Sequence, residues 1–302
     1  MKHIFIVNPV AGHGVAEKIY QPQVLSFLKE SGLDYEIHRS LNKQEIGTYI
    51  RQRAAEGDDV RFYAIGGDGT LCDVVNGAMG FPNAEVAVLP CGTGNDFVRN
   101  FTGRENFLDL KKQIAGKAVP VDVIKCNDSY AINMLNIGAD CEVVVKCSSY
   151  KRTTGSLAYA RGALAVLPKG PKYRMAYIDE NGEEQEEDLL LAAIGNGHFC
   201  GGGFKSCPQA CLQDGLMDVV LVRPVKGLRM FKLLLKYHQG THLDSPESAD
   251  LIKFMHVSEF KLRAIDDVSV SVDGEVYPFT EADIKIVPAG IRFVIPEGSE
   301  ML

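Results

Sequence analysis

Gly66-Gly67-Asp68-Gly69-Thr70 follows the apolar run 60–65 and precedes a helical pattern over 70–79. A strand that feeds a glycine turn and then a helix is the arrangement of a nucleotide-phosphate loop. Glycines let backbone N–H groups close on phosphate oxygens, and the helix N-terminus adds the positive end of its dipole. Asp68 supplies a carboxylate where a Mg²⁺ bridge to those phosphates would sit, so the expected chemistry is phosphoryl transfer. Tight strand-to-helix turns also use glycine with no ligand, so the pentapeptide needs company.

Three further stretches supply it. Asn8-Pro9-Val10-Ala11-Gly12 ends the strand expected over 2–7 and precedes a helix expected over 15–30. Pro90-Cys91-Gly92-Thr93-Gly94-Asn95-Asp96-Phe97 follows the strand expected over 85–89, with Thr93 as a hydroxyl donor and Asp96 as a second carboxylate. Far downstream, Asp273-Gly274-Glu275 is a glycine-centred turn with two acids. Strands of one parallel sheet deliver their carboxyl-end turns to a common crevice, where open α/β sheets bind ligands.

Taken in order, Asn-Pro-x-x-Gly, Gly-Gly-Asp-Gly-Thr, Pro-x-Gly-Thr-x-Asn-Asp-Phe, Asn196-Gly197 with Gly201-Gly202-Gly203, Pro208, Asp214-Gly215 and Asp273-Gly274-Glu275 resemble the soluble diacylglycerol kinase family of bacteria. That family is related to eukaryotic diacylglycerol and sphingosine kinases. The resemblance covers nearly the whole chain. Gly-Gly-Asp-Gly-Thr alone is shared with NAD kinases and phosphofructokinases, so the later blocks carry the specificity. One departure is that Thr70-Leu71-Cys72-Asp73-Val74-Val75-Asn76-Gly77 replaces the family's usual Thr-Leu-Asn-Glu-Val-x-Asn-Gly.

The chain has 302 residues, room for two domains, and a formal net charge of −7 without a long basic run, which argues against nucleic acid as the partner. The N-terminal apolar run stops at Asn8-Pro9 and reads as a first strand rather than a signal segment. No stretch reaches the roughly 18 consecutive apolar residues that span a bilayer. Eight cysteines in a chain read as cytoplasmic are expected as thiols. His198, Cys200, Cys207 and Cys211 lack the close ligand spacing of structural zinc sites.

Up to about residue 121 strands and helices alternate, with further strands over 35–39 and 60–65, a helix over 43–56 and short helices near 93–101 and 107–115. Such alternation predicts a parallel sheet covered on both faces. Beyond it, strands are expected over 119–125, 130–137, 172–179, 188–194, 217–222, 254–262, 268–272, 283–287 and 290–295. Helices are expected over 156–166 and 226–238, Asn181-Gly182 is a hairpin turn, and the acidic run 183–188 reads as its solvated end. The expected architecture is thus an α/β nucleotide-binding domain over 1–121, of the kind found in NAD kinases and diacylglycerol kinases, and an antiparallel β-sandwich domain over 122–302. The resemblance implies an active site in the cleft between them.

Asn8, Gly12, Gly66, Gly67, Thr70, Gly92 and Thr93 are the candidate nucleotide contacts, through backbone N–H groups and hydroxyls. The resemblance implies ATP as co-substrate and Mg²⁺ held by Asp68, Asp96 and Glu275, with Glu275 also taking the proton of a lipid hydroxyl. It implies a structural Mg²⁺ at Asp214 as well, although an Asp-Gly turn explains that residue nearly as well. Taken singly, Asp96 also fits a helix cap, and Asp273 and Glu275 an ordinary hairpin tip.

The expected reaction is phosphorylation of a lipid hydroxyl, diacylglycerol to phosphatidic acid, by a cytoplasmic enzyme in peripheral contact with the inner face of the membrane; a homodimer is compatible with the sequence. An NAD kinase is the enzyme alternative, from the likeness of Thr153-Thr154-Gly155-Ser156-Leu157-Ala158-Tyr159 to a block of that family, but no Asn-Glu pair follows the loop as that family requires. A silent nucleotide- or lipid-binding regulator is the non-enzyme alternative, and it would need a broken acidic set. Lys226, Arg229, Lys232 and Lys236 share a helical face opposite Leu228, Phe231, Leu234 and Leu235. The stripe either packs on the sandwich, leaving the cations solvated, or belongs to a helix that meets an anionic membrane.

Overall fold

A computed structural model describes residues 1–40, 43–148, 150 and 155–302. Thr153 and Thr154, from the segment compared with NAD kinases, lie outside the described residues. The chain forms two compact units, Met1–Asp122 with Ala289–Leu302, and Val123–Pro288. Residues 289–302 therefore return to the first unit, which a single cut near residue 121 does not describe.

In the first unit, strands β1 (Lys2–Val7), β2 (Tyr35–Arg39), β3 (Val60–Gly66) and β4 (Ala84–Pro90) form a parallel sheet in the order β2-β1-β3-β4. Helices α1 (Gln21–Ser31), α2 (Lys43–Ala54) and α3 (Asp68–Ala78) connect them, and α4 (Leu110–Ala115) follows β4. β3 is buried along its whole length, as a strand covered on both faces must be. The order reverses between β1 and β3, so the switch point of the sheet lies where Asn8 and Gly66-Gly67 emerge. The helix expected over 15–30 begins instead with a 3₁₀ turn, Ala11–Gly14, and a π turn, Ala16–Tyr20. Pro22, in the first turn of α1, has no N–H for an α-helical bond backwards, so a single helix cannot run through it.

Strand β5 (Lys117–Cys126) leads into the second unit, which comprises β6 (Ser129–Ala131), β7 (Met134–Gly138), α5 (Ala139–Ser148), α6 (Gly155–Val166), β8 (Tyr173–Ile178), β9 (Glu184–Leu189), β10 (Leu191–Gly195), β11 (Met217–Val222), α7 (Gly227–Gln239), β12 (Ile252–Val257), β13 (Glu259–Val272) and the start of β14 (Glu275–Ile295). Pairing in the order β12-β11-β10-β7-β13-β14 is antiparallel throughout. β13 pairs with β8 through Leu262–Ala264 and with β7 through Val270–Val272. A register shift between Arg263 and Val268 marks the change of partner, which is how one strand serves two sheets of a sandwich.

Two readings of this unit differ from the sequence expectation. α5 was not expected, because Val143-Val144-Val145 is a β-branched run with poor helix propensity, and its packing in the domain core outweighs that preference. The acidic run 183–188 belongs to the hairpin turned at Asn181-Gly182, with Glu183, Glu184 and Glu186 exposed, but it continues past the hairpin end as strand β9. Its charges are neutralised across neighbouring strands, Glu184 by Arg263, Glu186 by Arg174 and Glu187 by Arg223.

Within the first unit the buried Arg61 guanidinium pairs with Glu85 at 2.8 Å and donates to the carbonyls of Gln113, Ile114 and Gly116. Arg292, on the returning segment, pairs with the other Glu85 oxygen at 2.8 Å. Removing Arg61 leaves buried Glu85 with Arg292 alone and strips three carbonyls of their donor, so Arg61→Ala is expected to cost about 3–5 kcal/mol in urea unfolding. A loss below about 1 kcal/mol would show that Arg292 or solvent compensates Glu85 without Arg61.

Candidate active site

Each phosphate-loop candidate lies just beyond the carboxyl end of a parallel strand. Asn8 follows β1; its side-chain amide donates to Thr70 Oγ at 2.9 Å, across the switch point of the sheet. Gly66 ends β3, and Gly67 is the N-cap of α3 with an extended backbone. α3 starts at Asp68, two residues earlier than expected, so Asp68 stands in the first helical turn, where peptide N–H groups lack helical partners.

The turns after β3 and β4 meet directly. Cys91 N–H donates to the Gly66 carbonyl at 2.8 Å. A Cβ on Gly92 would lie 2.4 Å from the Gly67 Cα, and one on Gly12, whose φ is +58°, would lie 2.0 Å from the Cys91 carbonyl oxygen. Side chains are excluded at these positions because three turns share one volume. Thr93 is exposed, whereas Thr70 is buried in the first turn of α3.

Asp68 and Asp96 are brought to the same place. A Cβ on Gly94 would sit 3.1 Å from Asp68 Oδ2 and 3.1 Å from Asp96 Oδ2, so the two carboxylates flank that residue. The other Asp68 oxygen accepts Phe97 N–H at 3.1 Å. Burial raises the Asp68 carboxyl above its ordinary range, against the opposing hydrogen bond from Phe97. Such a carboxylate gains from a nearby cation. Asp96 itself pairs with Arg99 at 3.3 Å, and Arg99 also donates to the Gly94 carbonyl at 3.2 Å.

Three residues here escaped the sequence reading. Asn95 holds the loop in shape, with φ of 49° and its amide bonded both to Gly92 N–H at 2.9 Å and to the Gly92 carbonyl at 3.1 Å. A local amide brace of this kind is read from an Asn between glycines only when the turn is known. Gly94 and Arg99 gain their meaning only from the carboxylates beside them.

In the second unit, the acidic candidates stand in different surroundings. Asp273 is buried, and its carboxylate accepts N–H groups of Ile132 at 2.9 Å, Asn133 at 3.1 Å and Met134 at 2.8 Å. This is why the strand expected over 130–137 is interrupted between β6 and β7: those amides bond to a side chain. Asn196 supports the same segment through the Ile132 carbonyl at 2.7 Å, and Asn133 reaches the Phe199 carbonyl at 2.8 Å. Glu275 opens β14, half-buried, and accepts the Tyr277 hydroxyl at 2.8 Å.

Asp214 is already engaged. One oxygen accepts Leu216 N–H at 3.0 Å, the turn arrangement that an Asp-Gly pair favours, and the other faces His256 at 3.2 Å. Among the described residues no group of three or more His, Cys, Asp or Glu side chains is arranged to hold a metal by itself. A cation at Asp214 would have to displace His256 or share its oxygen.

The second unit also contains an apolar pocket, lined chiefly by Tyr159, Ala163, Leu167, Met230, Leu233 and Tyr237, with Asp140 as its one charged residue. Tyr159 donates to Asp140 at 2.5 Å, yet burial pushes the Asp140 carboxyl up to about 6.

The chain matches the diacylglycerol kinase catalytic domain family over residues 2–126 and the YegS C-terminal NAD kinase beta sandwich-like domain family over residues 133–295. Among curated relatives, an Alcanivorax borkumensis protein named probable lipid kinase YegS-like is 29% identical over 84% of each chain. The diacylglycerol kinase of Bacillus subtilis is 26% identical over 97% of this chain and 95% of its own, and that of Staphylococcus carnosus 28% identical over 89% and 87%. A solved diacylglycerol kinase structure from Bacillus anthracis aligns with a TM-score of 0.72 at 24% identity, covering 98% of this chain and 97% of that one, which supports the fold.

Gly94→Ala places a methyl group against both carboxylates without backbone strain, so kcat/KM should fall at least about tenfold while the melting temperature stays near wild type; unchanged kinetics would remove the pair from the reaction. The raised Asp140 carboxyl favours the folded state fully below its unfolded value near 3.9 and loses that contribution as pH rises through about 6. Asp140→Asn keeps an acceptor for Tyr159 but cannot ionise, so it should flatten the stability profile between pH 4 and 7, with the gain over wild type growing toward neutral pH. Unfolding curves across that range check the sign; a variant that becomes less stable than wild type as pH rises would contradict it. With both families matched in sequence order, and the carboxylates gathered at the switch point of the first, the chain belongs to the bacterial lipid kinases built from a diacylglycerol kinase catalytic domain and a YegS-type β-sandwich domain.

Proposed function

We propose that this lipid kinase transfers the γ-phosphoryl group of ATP to the free hydroxyl of diacylglycerol, giving phosphatidic acid. The observation that carries the reading is the pair Asp68 and Asp96 on either side of Gly94, beside three glycine turns at the carboxyl ends of parallel strands. The choice of lipid is supported by relatives named diacylglycerol kinase that align along nearly the whole chain. Because diacylglycerol resides in a bilayer, the enzyme acts as a peripheral visitor from the cytoplasmic side. Among the described residues no helix is long and apolar enough to cross a membrane.

The nucleotide phosphates are gripped by backbone N–H groups of the turns at Asn8, Gly12, Gly66, Gly67 and Gly92, with Thr70 and Thr93 as hydroxyl partners. Mg²⁺ fits beside Asp68 and Asp96, since the ion prefers hard oxygen donors and a partly desolvated carboxylate gains from a neighbouring cation. Bound there, it would neutralise charge on the donor phosphates. Arg99 holds Asp96 in position. Glu275 takes the proton of the lipid hydroxyl, and the Tyr277 hydroxyl keeps its carboxylate oriented. Asp214 is outside this scheme because its carboxylate is bonded to Leu216 and His256.

Labelled ATP supplied with a lipid panel in mixed micelles, and with NAD as a control, tests the substrate. Label in phosphatidic acid is expected; label confined to another lipid or to NADP would replace diacylglycerol. Asp68→Ala should lower turnover at least about a hundredfold with the fold intact. More than about a tenth of wild-type turnover would take Asp68 out of the chemistry. Glu275→Gln keeps size but not basicity, so turnover should drop roughly 10²–10⁴-fold while ATP affinity changes little. A large loss of ATP affinity with turnover preserved at saturating ATP would instead assign Glu275 to the metal–nucleotide complex.

A further inference from the structure

α7 carries two apolar faces. Met230, Leu233 and Tyr237 are buried in the core of the second unit, whereas Leu228, Phe231 and Leu235 are 73%, 49% and 50% exposed. The exposed three recur at i, i+3 and i+7, so they form one stripe along the outer surface of the helix. Of the expected stripe Leu228, Phe231, Leu234 and Leu235, only Leu234 packs against the core, which is filled mainly by Met230, Leu233 and Tyr237 from the other apolar repeat of α7. The cations of the middle of the helix are engaged. Arg229 bonds Asp250, and Lys236 bonds Ser245 and lies 3.1 Å from Glu247.

Charge is left available at one end of the stripe. The Lys226 side chain lies against Gly170, where a Cβ would be 2.5 Å from its Cε, which places it beside Lys169. Both lysines are exposed, and neither has an ion-pair partner among the described residues. An outward apolar ridge with cations at its end has the chemistry of an element that enters the headgroup region of an anionic bilayer.

We propose that α7 is the membrane-entry element of this protein, with Leu228, Phe231 and Leu235 inserted at the acyl boundary and Lys169 and Lys226 on lipid phosphates. The choice of a bilayer as occupant rests on the lipid-kinase reading. Attachment is then chiefly apolar and outlasts moderate salt, because the mid-helix cations are already paired.

The chain has no tryptophan, so Phe231→Trp creates a single indole reporter. With vesicles of phosphatidylglycerol and phosphatidylcholine, its emission should shift to the blue and be quenched by brominated acyl chains. Replacing Leu228, Phe231 and Leu235 together by Ser should weaken vesicle partitioning at least about 30-fold without lowering the melting temperature. Replacing Lys169 and Lys226 by Glu should weaken it at least about tenfold on anionic vesicles only. An unshifted indole on vesicle-bound protein, wild-type sedimentation of the Ser variant, or a lipid-independent blue shift that grows with protein concentration would each overturn the proposal, the last in favour of a second copy of the chain. Turnover of a short-chain diacylglycerol below its micelle concentration separates the two readings. The Ser variant should retain that activity while losing activity on vesicles. Insertion of the indole with no lipid phosphorylated would sink the kinase substrate alone; phosphorylation with a silent indole would sink the docking element alone.

Discussion

The contact between the turns after β3 and β4 sets the rest of the candidate site. Gly67 and Gly92 approach so closely that a Cβ on Gly92 would lie 2.4 Å from the Gly67 Cα and one on Gly67 3.0 Å from the Gly92 Cα, and the Cys91 amide closes the gap onto the Gly66 carbonyl. That approach fixes where α3 begins, and so puts Asp68 in its first turn. It also fixes the loop that carries Gly94 and Asp96. A larger residue at either glycine would part the two turns and separate the carboxylates, whatever the sheet beneath did.

Buried charge in this molecule is handled in three distinct ways. Arg61 and Glu85 are buried but mutually paired, and the guanidinium's remaining N–H groups reach backbone carbonyls, so neither ion is stranded. Asp140 and Asp218 are buried with less compensation, and desolvation raises each carboxyl to about 6. Asp273 shows a third outcome: three peptide N–H groups satisfy it, and it orders the segment between β6 and β7. One short turn thus contains an acid that holds backbone and, two residues on, another that is only partly exposed.

α7 illustrates how a domain surface can be shaped by competing repeats. Its inner residues complete the core and line an apolar pocket, while its outer residues stay apolar without a partner in the described structure. Glu247 and Asp250 neutralise the helix's central cations, so hydrophobic surface rather than charge dominates its outward face.

Strand-turn-helix alternation, the glycine turns and their acids were legible in the residues because they are local: β3 needs an apolar run, and the loop after it needs glycine. So was the change to antiparallel pairing beyond residue 121, which follows from short period-two strands. Other features depended on residues far apart in the chain. α5 forms against its own valine-rich propensity because the core rewards its burial, and β9 accepts an acidic sequence because Arg174, Arg223 and Arg263 face it. The structural duty of Asp273 needed Ile132, Asn133 and Met134 beside it, and the pairing of Asp214 with His256 needed β12. On α7, two apolar stripes are equally periodic, and periodicity carries no information about which one a core covers. Sequence alone determined where the glycine turns, their acids and the apolar stripes lie; tertiary contacts decided which of those side chains are buried or paired, because burial and charge pairing are set by neighbours distant in sequence.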